Sequence, residues 1–325
     1  MTPTSPRRLA YAAWIIVCVV WGTTYLGIRI ALESIPPALI GGIRYTAAGV
    51  VLIAWLRLRG ERVPSLDVWW RLAVVAILLI VIGNGFVIWA EQWVPSGVSA
   101  VVVATAPFWM STFEAIAPAG ERFHTWTIVG LCVGFAGIVL LVWPDLWHNG
   151  EGHQFVGGIV ALQLACVGWA AGSVYSKRYV PAQRPIGASA VQMLIGGVAM
   201  LVIASVRGEW SQLILTPRTA TAELYLIVFG SLIGYSSYLY ALEHLPVSTV
   251  SLYAYANPII AVILGAVVAG EPFGARVIAA STMVFTGIAT VRWRSRRVLH
   301  DPPTADQSHE EQHDRDDQQH PDEVP

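Results

Sequence analysis

Residues 90–108 read AEQWVPSGVSAVVVATAPF, and residues 241–258 read ALEHLPVSTVSLYAYANP. Each phrase opens on a polar knot with a carboxylate, passes a proline, and runs through small residues to a second proline. Pro95 precedes Pro107 by twelve residues, and Pro246 precedes Pro258 by twelve. Such a doublet predicts an internal repeat, and the flanks extend it. Val20-Trp21-Gly22 falls on Gly168-Trp169-Ala170; at that offset Arg29 meets Lys177, Arg44 meets Gln192 and Gly49 meets Gly197. Further on, Gly120-Glu121-Arg122 matches Gly270-Glu271-Pro272. Gly137-Ile138-Val139 through Trp143 matches Gly287-Ile288-Ala289 through Trp293. Residues 10–143 and 156–293 therefore read as two copies of one unit.

Composition says where those copies reside. The 325 residues are 55% hydrophobic and 13% charged, against about a quarter charged in a soluble globular chain. So apolar a surface could not stay in water, which overrules the two soluble domains that length alone suggests. Ten stretches have the ~20 mostly apolar residues of a bilayer-crossing helix: 11–31, 38–56, 72–90, 97–116, 125–143, 156–176, 187–206, 224–242, 248–269 and 276–293. The runs are continuous rather than alternating, which selects helices over a barrel. Arg7-Arg8 before an apolar run invites a signal-peptide reading. That run is too long and lacks a small-residue cleavage site, so it reads as a retained first span. Cys18, Cys132 and Cys166 show no metal or disulfide spacing and read as small membrane-core side chains.

With the N-terminus inside, the cytoplasmic segments hold fourteen basic residues, and the outer loops hold three, Arg207, Arg218 and Arg276. This positive-inside bias places both termini in the cytoplasm. The expected organisation is an N-terminus at 1–10, a first repeat at 11–143, a periplasmic linker at 144–155, a second repeat at 156–293 and a cytoplasmic tail at 294–325. Five spans per copy is an odd number, so the copies are inverted across the membrane plane. Inverted repeats are a common architecture of secondary transporters, with the substrate near the midplane between halves. The tail is acidic and nearly free of apolar residues, so it reads as disordered. Its His309-Glu310-Glu311-Gln312-His313 spells HExxH but shows neither a helix with a buried face nor a third ligand. No metal, cofactor or catalytic residue is assigned.

The same residues carry a family resemblance. Val20-Trp21-Gly22, AEQWVPSGVSAVVVATAPFW at 90–109, Gly120-Glu121, GLCVGFAGIVLL at 130–141 and YALEHLPVSTVSLYAYANPIIAVILGAVVAGEP at 240–272 stand in order over residues 10–293. Together they resemble the EamA family of ten-span exporters in the drug/metabolite transporter superfamily, and most its YedA/PecM-type members. The resemblance implies a protein of the bacterial inner membrane that exports amino acids, related metabolites or amphipathic drugs. It does not fix the substrate.

Several side chains are candidates for that task. Pro107 and Pro258 lie mid-span, where proline removes a backbone hydrogen bond and frees a carbonyl, either for gating or as a fixed kink. Arg44 is a charge within a span, a functional-site hypothesis by default, with snorkelling to the outer headgroups as the alternative. Arg29 reads as an interfacial anchor. Glu114 is a candidate either to pair with a cation or to carry a coupling proton. Glu91 is either a solvated helix end or part of an outer gate. Glu243 and His244, on the cytoplasmic side, are the inverted counterparts of the Glu91-Gln92 pair, and His244 is a candidate proton sensor or a surface histidine. Trp69, Trp70, Trp143 and Trp293 suit an interfacial belt. Trp21, Tyr25, Trp109, Trp169, Tyr175, Tyr235, Tyr238 and Tyr253, with Asn84, Gln192 and Asn257, suit either a cavity for amphipathic substrates or bundle packing. The GxxxG stretches at 130–134 and 230–234 read as helix-packing contacts.

These features favour a secondary carrier whose partners are a small-molecule substrate and the lipid bilayer, as monomer or homodimer, with no nucleic acid. No GxxxxGK[ST] loop is present for ATP drive. An intramembrane enzyme would need a nucleophile–base pair or metal ligands meeting at one depth, and the spans offer none. A non-transporting receptor or scaffold would need an exposed domain, which the short loops leave no room for.

Overall fold

Lipid offers no partner for an exposed N–H or C=O, so a chain this apolar crosses a bilayer with its backbone paired inside each segment. The computed structural model describes residues 6–116, 125–142, 151–180, 185–271 and 274–298, and these are helical apart from turns and short connections. In chain order the helices are α1 (Pro6–Ala31), α2 (Pro37–Leu58), α3 (Leu66–Ala90), α4 (Ser96–Ile116), α5 (Thr125–Val142) and α6 (Glu151–Tyr179). They continue as α7 (Pro185–Val206), α8 (Pro217–His244), α9 (Val247–Val250 and Tyr253–Val268) and α10 (Ala275–Val298). Seven of them, α1–α4 and α6–α8, are long and apolar enough to cross a membrane. The stretches expected at 125–143, 248–269 and 276–293 contain shorter apolar segments, Ile128–Leu140, Ala256–Val268 and Ala275–Gly287. Glu121, Arg122, Trp143, Arg184 and the tail with its HExxH lie outside the described residues.

Local chemistry sets the helix ends. Pro36-Pro37 and Pro217 open α2 and α8, where the missing N–H is an orphan in any case. The free N–H groups of α2 find a carboxylate: Ala38 N and Leu39 N donate to Glu209 Oε2 at 2.9 and 3.1 Å. At α4, Ser96 N and Gly97 N donate to Glu271 at 2.9 and 3.1 Å, and Ser96 Oγ donates at 2.9 Å. An anion suits the positive end of a helix. Gly60, Gly208 and Gly270 turn the chain after α2, α7 and α9 at φ of 68°, 68° and 64°, a region closed to most side chains.

Helices approach most closely at small residues, the usual device where lipid supplies no hydrophobic drive for association. α2 packs along α7: a Cβ on Gly49 would lie 2.6 Å from Leu194 N, and one on Gly197 would lie 2.3 Å from Thr46 N. α5 packs along α10: a Cβ on Gly137 would meet Ala280 O at 2.8 Å, and one on Gly287 would meet Gly130 O at 2.4 Å. The contacts are reciprocal, since Thr46 and Leu194 stand as far apart in sequence as Gly49 and Gly197. Gly130 and Ala280 likewise stand as far apart as Gly137 and Gly287. The other close pairings follow the same rule: α1 lies on α8 and α9, while α6 lies on α3 and α4. α2 and α7 run antiparallel, as do α5 and α10.

Two helices are wound loosely, at matching places. α3 is π-helical over Ile77–Asn84, and α8 over Leu226–Tyr235. Two others are broken: α4 at Ala104–Thr105 and α9 at Ser251–Leu252. Pro107 stands just inside the second piece of α4, and Pro258 sits within Tyr253–Val268. The break in α4 therefore precedes its proline by two residues, and that in α9 by six.

The tight α2–α7 crossing generates a stability prediction. Gly197→Ala is expected to cost about 1–3 kcal/mol through overpacking. Gly157→Ala, on an α6 face with nothing within 4 Å, is expected to be neutral or to gain about 0.5–1 kcal/mol from helix propensity. Thermal unfolding of the two purified variants in one detergent measures both signs.

Candidate functional site

The loosened stretch of α3 and the broken helices α4 and α9 meet, with α1, α2 and α6, around a small cavity of about 60 Å³, room for a few water molecules. Its walls are Trp21, Thr24, Tyr25 and Ile28 of α1, Arg44 of α2, Gly83, Asn84 and Val87 of α3, and Val103 and Ala106 of α4. Ala165, Cys166 and Trp169 of α6 and Tyr253 and Asn257 of α9 complete it. Trp21 is the centre of its aromatic part, with ring centroids 5.2 Å from Trp169, 5.1 Å from Tyr238 and 5.2 Å from Tyr253. The contacts to Trp169 and Tyr253 are edge-on, the arrangement the ring quadrupoles favour. Tyr238 stands behind the wall, its hydroxyl accepting from Trp169 Nε1 at 3.1 Å and bonded to Ser173 Oγ at 2.6 Å.

Polar side chains donate to carbonyls of the irregular helix segments. Trp21 Nε1 donates to Gly230 O in the π stretch of α8 at 3.2 Å, and Asn84 Nδ2 donates to Leu79 O in that of α3 at 3.1 Å. Thr105 Oγ1 donates to Val102 O at the break in α4, and Trp14 Nε1 donates to Val250 O at the break in α9. With its amide nitrogen facing the carbonyls, Asn257 bonds Cys18 O at 3.0 Å and Tyr253 O at 3.2 Å, tying α9 to α1. Gly230 and Gly234 do more than pack helices: a Cβ on them would strike Arg44 Nη2 at 2.6 Å and Trp21 Nε1 at 2.5 Å.

The buried charges are incompletely paired. Arg44 is 2% exposed, so it does not snorkel. Its Nε donates to Ser231 Oγ at 2.7 Å, its guanidinium lies 4.8 Å from the Tyr45 ring centre, and its Nη1 has no hydrogen-bond partner. Glu223, whose charge field includes Arg44, has both carboxyl oxygens buried and unbonded. Glu91 is fully buried with both oxygens unbonded, which removes the reading of a solvated helix end.

Two basic residues pin helix ends. Arg29 Nη1 of α1 donates to Glu91 O at 2.5 Å and Gln92 O at 3.3 Å, the C-terminal carbonyls of α3. Lys177 Nζ of α6 donates to Leu242 O at 2.8 Å and Leu245 O at 2.5 Å, the C-terminal carbonyls of α8. A cation at a helix C-terminus satisfies orphan carbonyls and opposes the helix dipole. α6 runs antiparallel to α3, with Gly158 against Ala90 and Val94 and Gly172 against Leu78 and Leu79. The two clamps therefore stand at opposite ends of the bundle.

Against known proteins, the EamA-like transporter family model matches residues 8–143 and again 156–293. This chain belongs to the EamA-like transporter family. It is 36% identical over 264 residues to the uncharacterized inner membrane transporter YedA of Escherichia coli (strain K12), covering 80% of this chain and 83% of that one. Protein PecM of Dickeya dadantii (strain 3937) is 27% identical over 251 residues, covering 76% of this chain and 80% of its own. A solved crystal structure shares the fold at a TM-score of 0.64 and 22% identity, covering 89% of this chain and 98% of that one.

In this EamA-like chain the other sequence candidates fall around the cavity rather than on it. Tyr235 donates to Gln192 Oε1 at 2.7 Å, joining α8 to α7 behind Tyr45. Trp109 Nε1 donates to Gln163 Oε1 at 3.1 Å, and Gln163 Nε2 donates to Thr105 Oγ1 at 3.1 Å, so one amide of α6 ties the break in α4 to the turn that follows it. Tyr175 stacks near Tyr179. Glu114 is held by Arg178 at 2.9 Å in a partly exposed ion pair. His244 is exposed, Nδ1 on Tyr240 O at 2.9 Å. Gln163, Thr24, Ser231 and Glu223 escape the sequence reading, and Cys166, read there as a small membrane-core side chain, lines the cavity. Glu223 lies one residue before the apolar run at 224, and the others are ordinary polar interruptions of a span.

The indole bond at the centre is testable. Trp21→Phe keeps a ring in place but withdraws the donor from Gly230 O, and is expected to cost about 1–2 kcal/mol. Trp70→Phe, at a position 58% exposed, is expected to stay within about 0.5 kcal/mol. Thermal midpoints of the two variants check the contrast.

Proposed function

We propose that the chain is a secondary carrier of ten spans, built as two inverted five-helix repeats. It exports amino acids, related small metabolites or amphipathic drugs across the inner membrane by alternating access, with both termini cytoplasmic. The observation that carries this reading is the meeting of Trp21 and Trp169 at the cavity, 5.2 Å apart. They are equivalent residues of the two repeats, so the site lies on the seam between them, where inverted-repeat carriers hold substrate. The reciprocal glycine contacts, the matched π stretches and the clamps at opposite ends support the same architecture.

The lining suggests what the cavity takes. Arg44, with Nη1 unspent, suits a carboxylate, and the edges and faces of Trp21, Trp169 and Tyr253 suit a flat apolar body. At about 60 Å³ the cavity is smaller than any such molecule, so entry requires one end to open. Pro107, Pro258, Glu91 and the helix breaks beside the prolines are the parts of the bundle suited to that motion. The same framework assigns the end carrying Glu91, Arg29 and Glu271 to the outer face and that carrying Lys177 to the cytoplasm.

Counterflow in proteoliposomes tests the reading without assuming a driving ion. Vesicles loaded with unlabelled aromatic and aliphatic amino acids are offered each labelled compound in turn. Saturable accumulation is expected for carboxylates with an aromatic body, and Arg44→Ala is expected to lower it about tenfold or more while the protein still inserts. Exchange by Arg44→Ala at the normal rate would remove Arg44 from the site; no exchange of any compound by folded protein would reject the substrate class.

A further inference from the structure

We infer that Glu223 is a proton site coupled to the anion site at Arg44, so that a carboxylate and a proton bind together. The inference deepens the carrier reading above, on which it rests, by naming the ion that accompanies a carboxylate substrate.

Two buried groups beside the cavity leave each other incomplete. Arg44 of α2 is 2% exposed and Glu223 of α8 is 6% exposed. Arg44 forms part of the cavity wall, and Glu223 stands outside the lining, within the field of Arg44. Yet both Glu223 oxygens and Arg44 Nη1 are buried without a hydrogen-bond partner. A dry carboxyl that accepts no hydrogen bond is far costlier as the anion than as the acid. This arrangement is therefore the one with Glu223 protonated. Arg44 then has a neutral hydroxyl, Ser231 Oγ at 2.7 Å, and the Tyr45 ring for partners. Its charge is left uncompensated at the cavity wall.

The other charged and titratable groups on the helices around Glu223 are engaged elsewhere. α2 presents Arg44 and Tyr45, both of which interact with Glu223 through its charge. α1, packed along Pro217–Tyr225, carries Tyr25, Arg29 and Glu33. Tyr25 faces Glu91, Arg29 holds the carbonyls at the end of α3, and Glu33 is paired with Arg218 of α8. On α8 itself Tyr225 bonds Thr23, and before α8 Glu209 holds the first N–H groups of α2. Glu91, the other buried carboxyl in the field of Arg44, has Arg29 and Glu271 about it as well.

A carboxylate at Arg44 Nη1 supplies the missing acceptor and neutralises the guanidinium. When Glu223 has given its proton to water, its own charge compensates Arg44, and an incoming anion adds a net negative charge to a dry site. Two carboxylates thus compete for one guanidinium, and a proton on Glu223 removes one competitor. Such linkage is reciprocal: the proton raises the affinity for the carboxylate and the carboxylate raises that for the proton, by one factor. Export of a carboxylate down its own gradient then carries protons out with it. Glu223 is a positioning residue, which acts through the charge that Arg44 presents.

Formate is the smallest carboxylate and suits a cavity with room for a few water molecules, so it probes the pair apart from the substrate class. In the purified full chain, the infrared difference between the parent and Glu223→Gln isolates the C=O stretch of a protonated Glu223. That band is expected at about pH 6, weaker at about pH 8.5, and restored there by formate. Formate affinity is read from the rise in unfolding temperature with formate concentration. Between about pH 6 and about pH 8.5 the dissociation constant of the parent is expected to rise about tenfold or more. Glu223→Gln is expected to hold the acid value of the parent at both, and Glu91→Gln to keep the rise. Arg44→Gln is expected to give no response to formate. Absence of the band, a dissociation constant in the parent that ignores pH, a rise that survives in Glu223→Gln or a rise lost in Glu91→Gln overturns the proposal. A formate response that persists in Arg44→Gln overturns the anion site. Counterflow that fails for aromatic carboxylates while the formate linkage holds rejects the substrate class and not the proton site; the reverse pattern keeps the carrier and rejects the proton site.

Discussion

Inside a bilayer every backbone carbonyl must find its donor within the protein, and the candidate site of this chain is assembled where its helices do not meet that demand alone. The π stretches of α3 and α8 and the breaks of α4 and α9 depart from the regular helical ladder. The side chains that donate to carbonyls there are Asn84, Trp21, Thr105 and Trp14. Two of these line the cavity, and the other two hold the broken helices beside it. Arg29 and Lys177 perform the same service at helix ends. One constraint thus explains why polar and aromatic residues interrupt such apolar spans, and why they converge.

The arrangement also joins stability to mobility. A regular helix is stiff because its own bonds are complete; a helix whose bonds run through side chains of a neighbour can exchange partners. Gln163 of α6, holding Thr105 at the break in α4 and Trp109 one turn beyond it, is one such exchangeable brace. By contrast, the α2–α7 and α5–α10 crossings are backbone against backbone at glycine, with no room to shift a side chain between them. The bundle therefore separates into tight seams and a loosely braced centre, and the cavity lies in the centre.

Much of this was legible beforehand. The doubled phrase at 90–108 and 241–258 marks the helix ends and the two prolines, while the breaks fall two and six residues before those prolines. Trp21, Tyr25, Arg44, Asn84, Trp169, Tyr253 and Asn257, which line the cavity, stand out in the sequence because polar and aromatic tips are costly at membrane depth unless something receives them. The same reasoning did not separate these from Tyr235, Tyr238, Gln192 and Trp109, which are equally costly and equally satisfied, but by one another or by neighbours outside the cavity. Glu223 went unnoticed because a carboxylate next to an apolar run looks like a helix end in water.

The sequence by itself determined the membrane class, the helical architecture, the repeat and the set of residues from which a site can be built, since each follows from composition, from periodicity or from a residue's own cost in lipid. Tertiary structure alone decided which members of that set meet. Glu91 shows the difference. Its position at the end of a span is written in the chain, but whether it faces water or a dry pocket beside Arg29 and Glu271 depends on α1 and on a segment 180 residues further on. Burial and pairing are properties of packing, and no single helix contains them.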